Sequence, residues 1–542
     1  LAVSVTFVAS RAANGQTIVT ATWTGAANDG NYMNPANWSG GVVPLNSPTF
    51  RYNVVIPNVG AIRTITFGTT SPNLLEVDDL TVTDGITLQV PANRQFYVRD
   101  DAVLDGLIDA RGLNTLFDSG FAVANNGRTR LAARDGARVV YRSLSYSASN
   151  IQRSDTLFNA QTVAEVDASV VRTFLYGAGG GRHTHIISAT DGGVVNLSGL
   201  TTLGSINGED DILSFNISGT GSTVNLNALQ TIQGNGNGND QVQFNIAQGA
   251  TQNFPALVSA SRTFIGVGAG ANVSAPALTT LTNTSFTSLG GVLARPTISL
   301  SSGSTFSAPA LTRVNSGFIQ LGGDGVWSTG ALTNLDNTAV HVSGGRVFGV
   351  STGSVSANAY TYNLRYGNGT LFSADGAGSR LDLSSIGTLN LGWNDADGTA
   401  YATTISASNG GVVNLSGVQT LTTPARGEDR IDFTTGNGGS INLAGLQTIT
   451  GGGVARFIPA AGSSQSLPQL TAATNLQADL GPGSTLTTPQ LQALTSTLWG
   501  SLDGAILARP TISLSSGSTF SAPALTRVNS GFIQLGGDGV WS

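Results

Sequence analysis

The stretch LARPTISLSSGSTFSAPALTRVNSGFIQLGGDGVWS occupies Leu293–Ser328 and returns without a change at Leu507–Ser542, an offset of 214. Upstream of it, GGVVNLSGLTTL from Gly192 returns as GGVVNLSGVQTL from Gly410, an offset of 218. Self-similarity on this scale identifies a repeat architecture before anything else is read. Inside each large repeat runs a smaller one, apolar-x-apolar-x-x-Leu-x-x-apolar, as in Val195, Leu197, Leu200 and Leu203, then Val224, Leu226, Leu229 and Ile232. Its central positions Leu200, Leu229, Leu257, Leu278 and Leu311 are answered by Val418, Leu446, Leu470, Leu491 and Leu525, with long and short spacings in nearly the same order.

A second apolar anchor precedes the central position by 13 residues: Ile187, Phe244, Ile298, Ile405, Phe433, Phe457 and Ile512, with Phe215 and Phe264 one residue further out. Two strands per unit, joined by Gly, Asn, Ser, Thr and Asp turns, make a unit that cannot bury its apolar face alone. Stacking the units buries it. Eight units fit in 218 residues, so a coil averages roughly 27, shorter than the blade of a β-propeller. The expected fold is all-β, a right-handed parallel β-helix with an N-terminal β cap, the hand following from the crossover rule. The Leu-x-x-Leu pieces have helical spacing, but Gly, Asn, Thr and Pro around them oppose a helix. Pro255, Pro276, Pro309, Pro489 and Pro523, each two residues before the central Leu, mark corners between strands. The expected organisation is a strand and cap over 1–50, first coils over 51–190, one large repeat over 191–408 and an incomplete second over 409–542.

Composition agrees. All 25 basic residues are Arg, only four of the 31 acids are Glu, and Met33 is the single Met, which removes most strong helix formers. Gly reaches 71 of 542 residues while charged residues make up 10%, where about 25% is usual. The net charge of −6 is spread out, with no basic block to follow a phosphate backbone, so nucleic acid is not an expected partner. The absence of Cys excludes disulfides and thiolate metal sites and fits an exported protein. No apolar run reaches the roughly 18 residues of a membrane span.

Residues Trp23 to Pro44, WTGAANDGNYMNPANWSGGVVP, resemble the N-terminal module of large secreted bacterial β-helix proteins, the autotransporter-associated β-strand repeat and adhesin-like proteins. The matching features are Trp23, Asp29-Gly30-Asn31, Asn34-Pro35-Ala36-Asn37-Trp38 and Gly41 to Pro44; Tyr32 stands where a second Trp is expected. The resemblance implies an extracellular or cell-surface bacterial protein whose coils begin near residue 50, and it brings no catalytic residues. Two Trp and a Tyr beside Gly-rich turns read as a plug over the first coil's open edge, with carbohydrate stacking as the alternative.

Chemistry is sparse. Glu209, Asp210 and Asp211 cluster, and Glu428, Asp429 and Asp432 repeat the cluster. Asp240 is expected one coil above Asp211, because DDILSFNI and NDQVQFNI align at an offset of 29. Stacked carboxylates repel unless a cation intervenes, so Asp211, Asp240, Glu209, Glu428 and Asp429 are the candidate Ca²⁺ ligands, with solvated turns as the leading reading and glycoside hydrolysis as a third. Gly236 to Val242 partly matches a Ca²⁺-binding nonapeptide, in a single copy. Asp429, Arg430 and Asp432 are the nearest approach to the Asp cluster and basic residue of pectate-lyase-like enzymes. His183 and His185 could pair on a metal but are read as a surface pair.

For assembly, Leu1, Val3, Val5, Phe7 and Ala9 alternate like a strand, although Leu1–Ser10 also fits a signal remnant with a cleavage site at Ser10-Arg11-Ala12. The chain stops at Trp541-Ser542 inside a coil, so either further repeats or a docking subunit is expected there, with the first residues as a donor strand. The functional expectation is a non-enzymatic extracellular structural or adhesive fibre that self-associates head to tail and meets a glycan or a surface. The alternative is a polysaccharide-active β-helix enzyme or a glycan-binding module.

Overall fold

The computed structural model describes residues 10–11, 15–68, 72–124, 127–176, 182–205, 211–234, 240–282, 297–329, 332–350, 352–356, 369–394, 399–496 and 510–542. Leu1, Val3, Val5, Phe7, Glu209, Asp210 and most of the Gly236 to Val242 motif lie outside these residues. The chain divides into two compact units, Leu1–Ala277 and Leu278–Ser542. That boundary falls inside the first large repeat. Each unit is a parallel β-helix.

A coil carries three strands where the sequence pattern implied two. Thr184–Thr190, Val194–Asn196 and Thr202–Ser205 make one coil, and Ile212–Ser218, Thr223–Asn225 and Thr231–Gln233 the next. Each strand pairs in parallel with its counterpart. The last apolar residue of the motif, Leu203 or Ile232, belongs to a short third strand hidden in sequence by the corner before it. Those corners are single turns: Leu200 N–H donates to Leu197 O at 3.0 Å, and Leu446 N–H to Leu443 O at 3.0 Å. The helical spacing therefore ends after one turn, and the five prolines named above all occupy such turns. Among the described residues no helix is long and apolar enough to cross a membrane.

Strand alternation sends every second side chain inward, and Thr184–Thr190 alternates half-buried and buried throughout. In the first unit Ile187, Phe215, Phe244 and Ile265 stack in register; the rings of Phe215 and Phe244 lie 4.6 Å apart and 14° from parallel. In the second unit Ile405, Phe433, Phe457, Ala478 and Ile512 form the corresponding column. Phe264, expected in the first column, instead pairs with Gln243 and leaves the place to Ile265. Ile265 precedes Leu278 by the same 13 residues as the other anchors, so register prevailed over ring size. Leu229 and Leu446 are fully buried, and truncating either to Ala is expected to cost about 2–5 kcal/mol.

The N-terminal module closes the first unit. Asp29 accepts hydrogen bonds from the Asn34 and Asn37 side-chain amides, both at 2.6 Å, and from Asn31 N–H at 3.0 Å, which hold its carboxyl below the usual carboxylate range. This network is the physical content of the NDGNYMNPANW sequence. It folds the segment so that Trp23, Tyr32 and Trp38 are buried, with Trp38 edge-on to both other rings. Tyr32 continues inward against Phe67, which meets Phe96, which stacks on Phe117. Gly30 has φ +65°, and a Cβ there would lie 2.7 Å from Thr64 O. That closeness lets Thr66 N–H donate to Gly30 O and Tyr32 N–H to Thr66 O, both at 2.9 Å, satisfying the edge of Thr64–Thr66. These rings are packed as a plug and present no free face for a sugar.

Candidate functional site

Three of the acids singled out in the sequence, Asp211, Asp240 and Asp429, join neighbouring coils. Asp211 and Asp240 occupy equivalent corners of successive coils, and both are fully buried. Asp211 Oδ1 accepts from His183 N–H at 2.7 Å, and Asp240 Oδ1 accepts from Asp211 N–H at 2.9 Å. One large repeat later, Asp429 Oδ1 accepts from Tyr401 N–H at 3.0 Å. In each case a carboxylate satisfies a backbone donor of the coil before it, which explains why the feature recurs. Glu428 pairs with Arg426, and Asp432 with Arg430 at 3.1 Å. Among the described residues no three His, Asp or Glu side chains are grouped to hold a metal ion.

His183 and His185 are not the surface pair expected. His185 is fully buried, its ring 6.4 Å from that of His183, and burial lowers its pKa below the ordinary value of 6.5. His183 Nδ1 lies 3.3 Å from Asp211 Oδ1. Asp240, Arg262 and Asp211 all act electrostatically on the buried Tyr176 hydroxyl, whose pKa is raised chiefly by burial. Arg262 is itself buried, at φ +51°, so this corner already contains a cation.

Sequence reasoning missed a groove on the outer face of the first coils. Leu74–Val77, Gln95–Val98 and Leu116–Asp118 are successive parallel strands. Leu75, Phe96 and Phe117 point into the core. Glu76, Tyr97 and Asp118 are therefore stacked in register on the outside, one strand spacing of about 4.8 Å apart. Arg99 donates to Glu76 at 2.5 Å. Arg142 forks onto Asp118 through Nε at 2.8 Å and a terminal nitrogen at 2.7 Å. Leu74 and Phe121, which is 83% exposed, complete a groove of about 490 Å³.

Gly120 shapes the turn that presents Phe121: it has φ +80°, and a Cβ would lie 2.7 Å from Asp100 O. Arg99 holds Glu76 below the usual carboxylate range, opposite to what a general acid needs. The signal for this site was present as the 21-residue spacing of Glu76, Tyr97 and Asp118, with Glu76 one of the few Glu in the chain.

Of the assembly residues, Trp541 lies in the short strand Val540–Trp541, its ring 4.9 Å from that of Phe520. Comparison with known protein families, with curated proteins and with solved structures finds no match to this chain.

Proposed function

We propose that this chain is a non-enzymatic extracellular structural or adhesive β-helix protein of a bacterial surface, with self-association as its principal partner relation. The observation carrying this reading is the use made of its acids. Asp211, Asp240 and Asp429 cap backbone donors of the preceding coil, while Glu428 and Asp432 are ion-paired. Polar chemistry that is spent between coils, or on a neighbour two residues away, serves the scaffold. The secreted setting is supported by the lack of Cys and by the N-terminal resemblance.

Two measurements test the proposal together. Incubation with a panel of polysaccharides is expected to release neither reducing ends nor unsaturated sugars, and electron microscopy of native material is expected to show filaments or a surface layer. Catalytic turnover, or isolated cytoplasmic particles, would overturn it.

A further inference from the structure

We propose that the groove formed by Glu76, Tyr97, Arg99, Asp118, Phe121 and Arg142 binds a chain of neutral pyranose sugars. This gives the adhesive part of the reading above its ligand class, and rests on that reading only for where the ligand is met.

The charge balance is the first argument. Two carboxylates and two guanidinium groups line the groove, and they are paired with each other. Their sum is zero, so neither a polyanion nor a polycation is drawn in by the field. What remains is hydrogen-bonding capacity of both kinds. A guanidinium has five N–H donors; Arg142 spends two on Asp118 and Arg99 one on Glu76. Their side chains stay 44% and 55% exposed, so donors are left beside the carboxylate and phenol oxygens. Closely set donors and acceptors suit hydroxyl groups, each of which both gives and takes a hydrogen bond.

The second argument is the apolar surface. Phe121 leaves nearly its whole ring uncovered, on a turn its preceding glycine makes possible. An aromatic face with paired charges at its side matches a pyranose, which has C–H groups on its faces and hydroxyls at its rim. Tyr97 lies between Glu76 and Asp118 along the coil axis, so the polar contacts are spread along a line, as an extended chain requires.

A peptide is the competing occupant, and the backbone opposes it. The strands that carry Tyr97 and Asp118 are hydrogen-bonded to neighbours on both sides, so they offer no free edge for strand addition. The strand that carries Glu76 ends its sheet, but on its other side Glu76 O already accepts from Asn46 N–H at 2.8 Å.

The test is calorimetric titration of the purified chain with hexamers of β-linked glucose, α-linked glucose, mannose and xylose, with hexagalacturonate as the acidic probe and a random peptide mixture as the third class. At least one neutral hexamer is expected to bind, with affinity changing less than about twofold between low and high salt, since no net charge is neutralised. Phe121→Ala, a change at an exposed ring, is expected to weaken binding about tenfold or more with the melting curve unchanged. Arg99→Gln is expected to weaken it less. The proposal is overturned if no neutral hexamer binds, if hexagalacturonate or peptide binds more tightly, or if Phe121→Ala binds as well as the parent. Failure here leaves the turnover and microscopy results standing, so the two readings fall separately.

Discussion

Residues 297–328 and 511–542 are the same sequence in two places within the second unit, and they are buried differently. Ile298 and Ile512 are each 1% exposed, and Phe306 and Phe520 not at all. Further along, Val314, Ile319 and Leu321 are buried, while their twins Val528, Ile533 and Leu535 are 42%, 47% and 59% exposed. The cause is the neighbour. Phe318–Leu321 is covered by Ala339–Ser343, with Ile319 against Val340 and Leu321 against Val342. Among the described residues, Phe532–Leu535 is paired only on the Thr511–Leu514 side. Ring geometry responds as well: Trp327 stacks at 30° on Phe306 and meets Phe348 edge-on, while Trp541 meets Phe520 at 66°. Local sequence sets the strand, its register and the side that faces in. The next coil supplies the burial.

Truncating the same residue in both copies should have unequal effects. Ile319→Ala is expected to cost about 2–5 kcal/mol, and Ile533→Ala, in a polypeptide of residues 1–542 only, less than about 0.5 kcal/mol, both read from urea unfolding of that polypeptide. Equal losses would show that burial is not the source of the difference. Next in size, appending a copy of residues 329–356 after Ser542 gives the second copy the cover that the first one has. Covering Ile533 and Leu535 is expected to slow amide exchange over 532–535 about a hundredfold, equivalent to about 2.7 kcal/mol; unchanged exchange would mean that the added coil does not dock.

Asp211 and Asp429 have the same role one large repeat apart. Asp211→Ala and Asp429→Ala each strand a backbone N–H of the coil before, His183 N–H or Tyr401 N–H. Each is expected to cost about 1–3 kcal/mol, and the two losses should agree within about 1 kcal/mol. A much larger loss at Asp211 alone, or a melting temperature lowered by EDTA only when Asp211 is intact, would restore calcium to that corner.

The smallest expected effect separates the two units by pH. His185 has Thr403 as its counterpart, so only the first unit buries a histidine at this position. Burial lowers the folded pKa of His185 below 6.5, so between that lowered value and 6.5 the unfolded chain binds more protons than the folded one. The stability held by neutral His185 is therefore present above pH 6.5 and is lost as pH falls below it, by less than about 1.4 kcal/mol per pH unit. His185→Thr is expected to flatten that slope. Hydrogen exchange followed separately over 184–218 and 402–435 reads it, and equal acid sensitivity in both regions would assign the effect elsewhere.

Much of the fold was legible because a solenoid writes its core periodically. The spacing from Ile187 to Leu200, repeated through both copies, located columns that the structure confirms at Leu229, Leu446 and Phe433. The cap was legible for a different reason: Asp29, Asn34 and Asn37 act through short-range hydrogen bonds within a few residues of one another. The third strand of each coil was not legible, because three residues beyond a corner carry too little alternation to register as a strand. Neither was the site. Glu76, Tyr97 and Asp118 do recur at a spacing of 21 residues, but they become neighbours only when coils of that length stack, and in a chain whose coils differ in length the spacing alone does not single them out.

Alternation and turn chemistry within one coil are enough to show that the chain is a parallel β-helix, where its proline-marked corners fall, and which residues form most of its inner columns. The stacking of coils decides that His185 is buried, that Ile265 rather than Phe264 enters the core, that Asp211 caps a backbone donor 28 residues away, and that Glu76, Tyr97 and Asp118 line up beside the exposed ring of Phe121. Each of these depends on what the adjacent coil places opposite a residue. Coil length varies from 20 to 34 residues along the chain, so the identity of that opposite residue is set by the stacking and cannot be read from the residue's own neighbourhood.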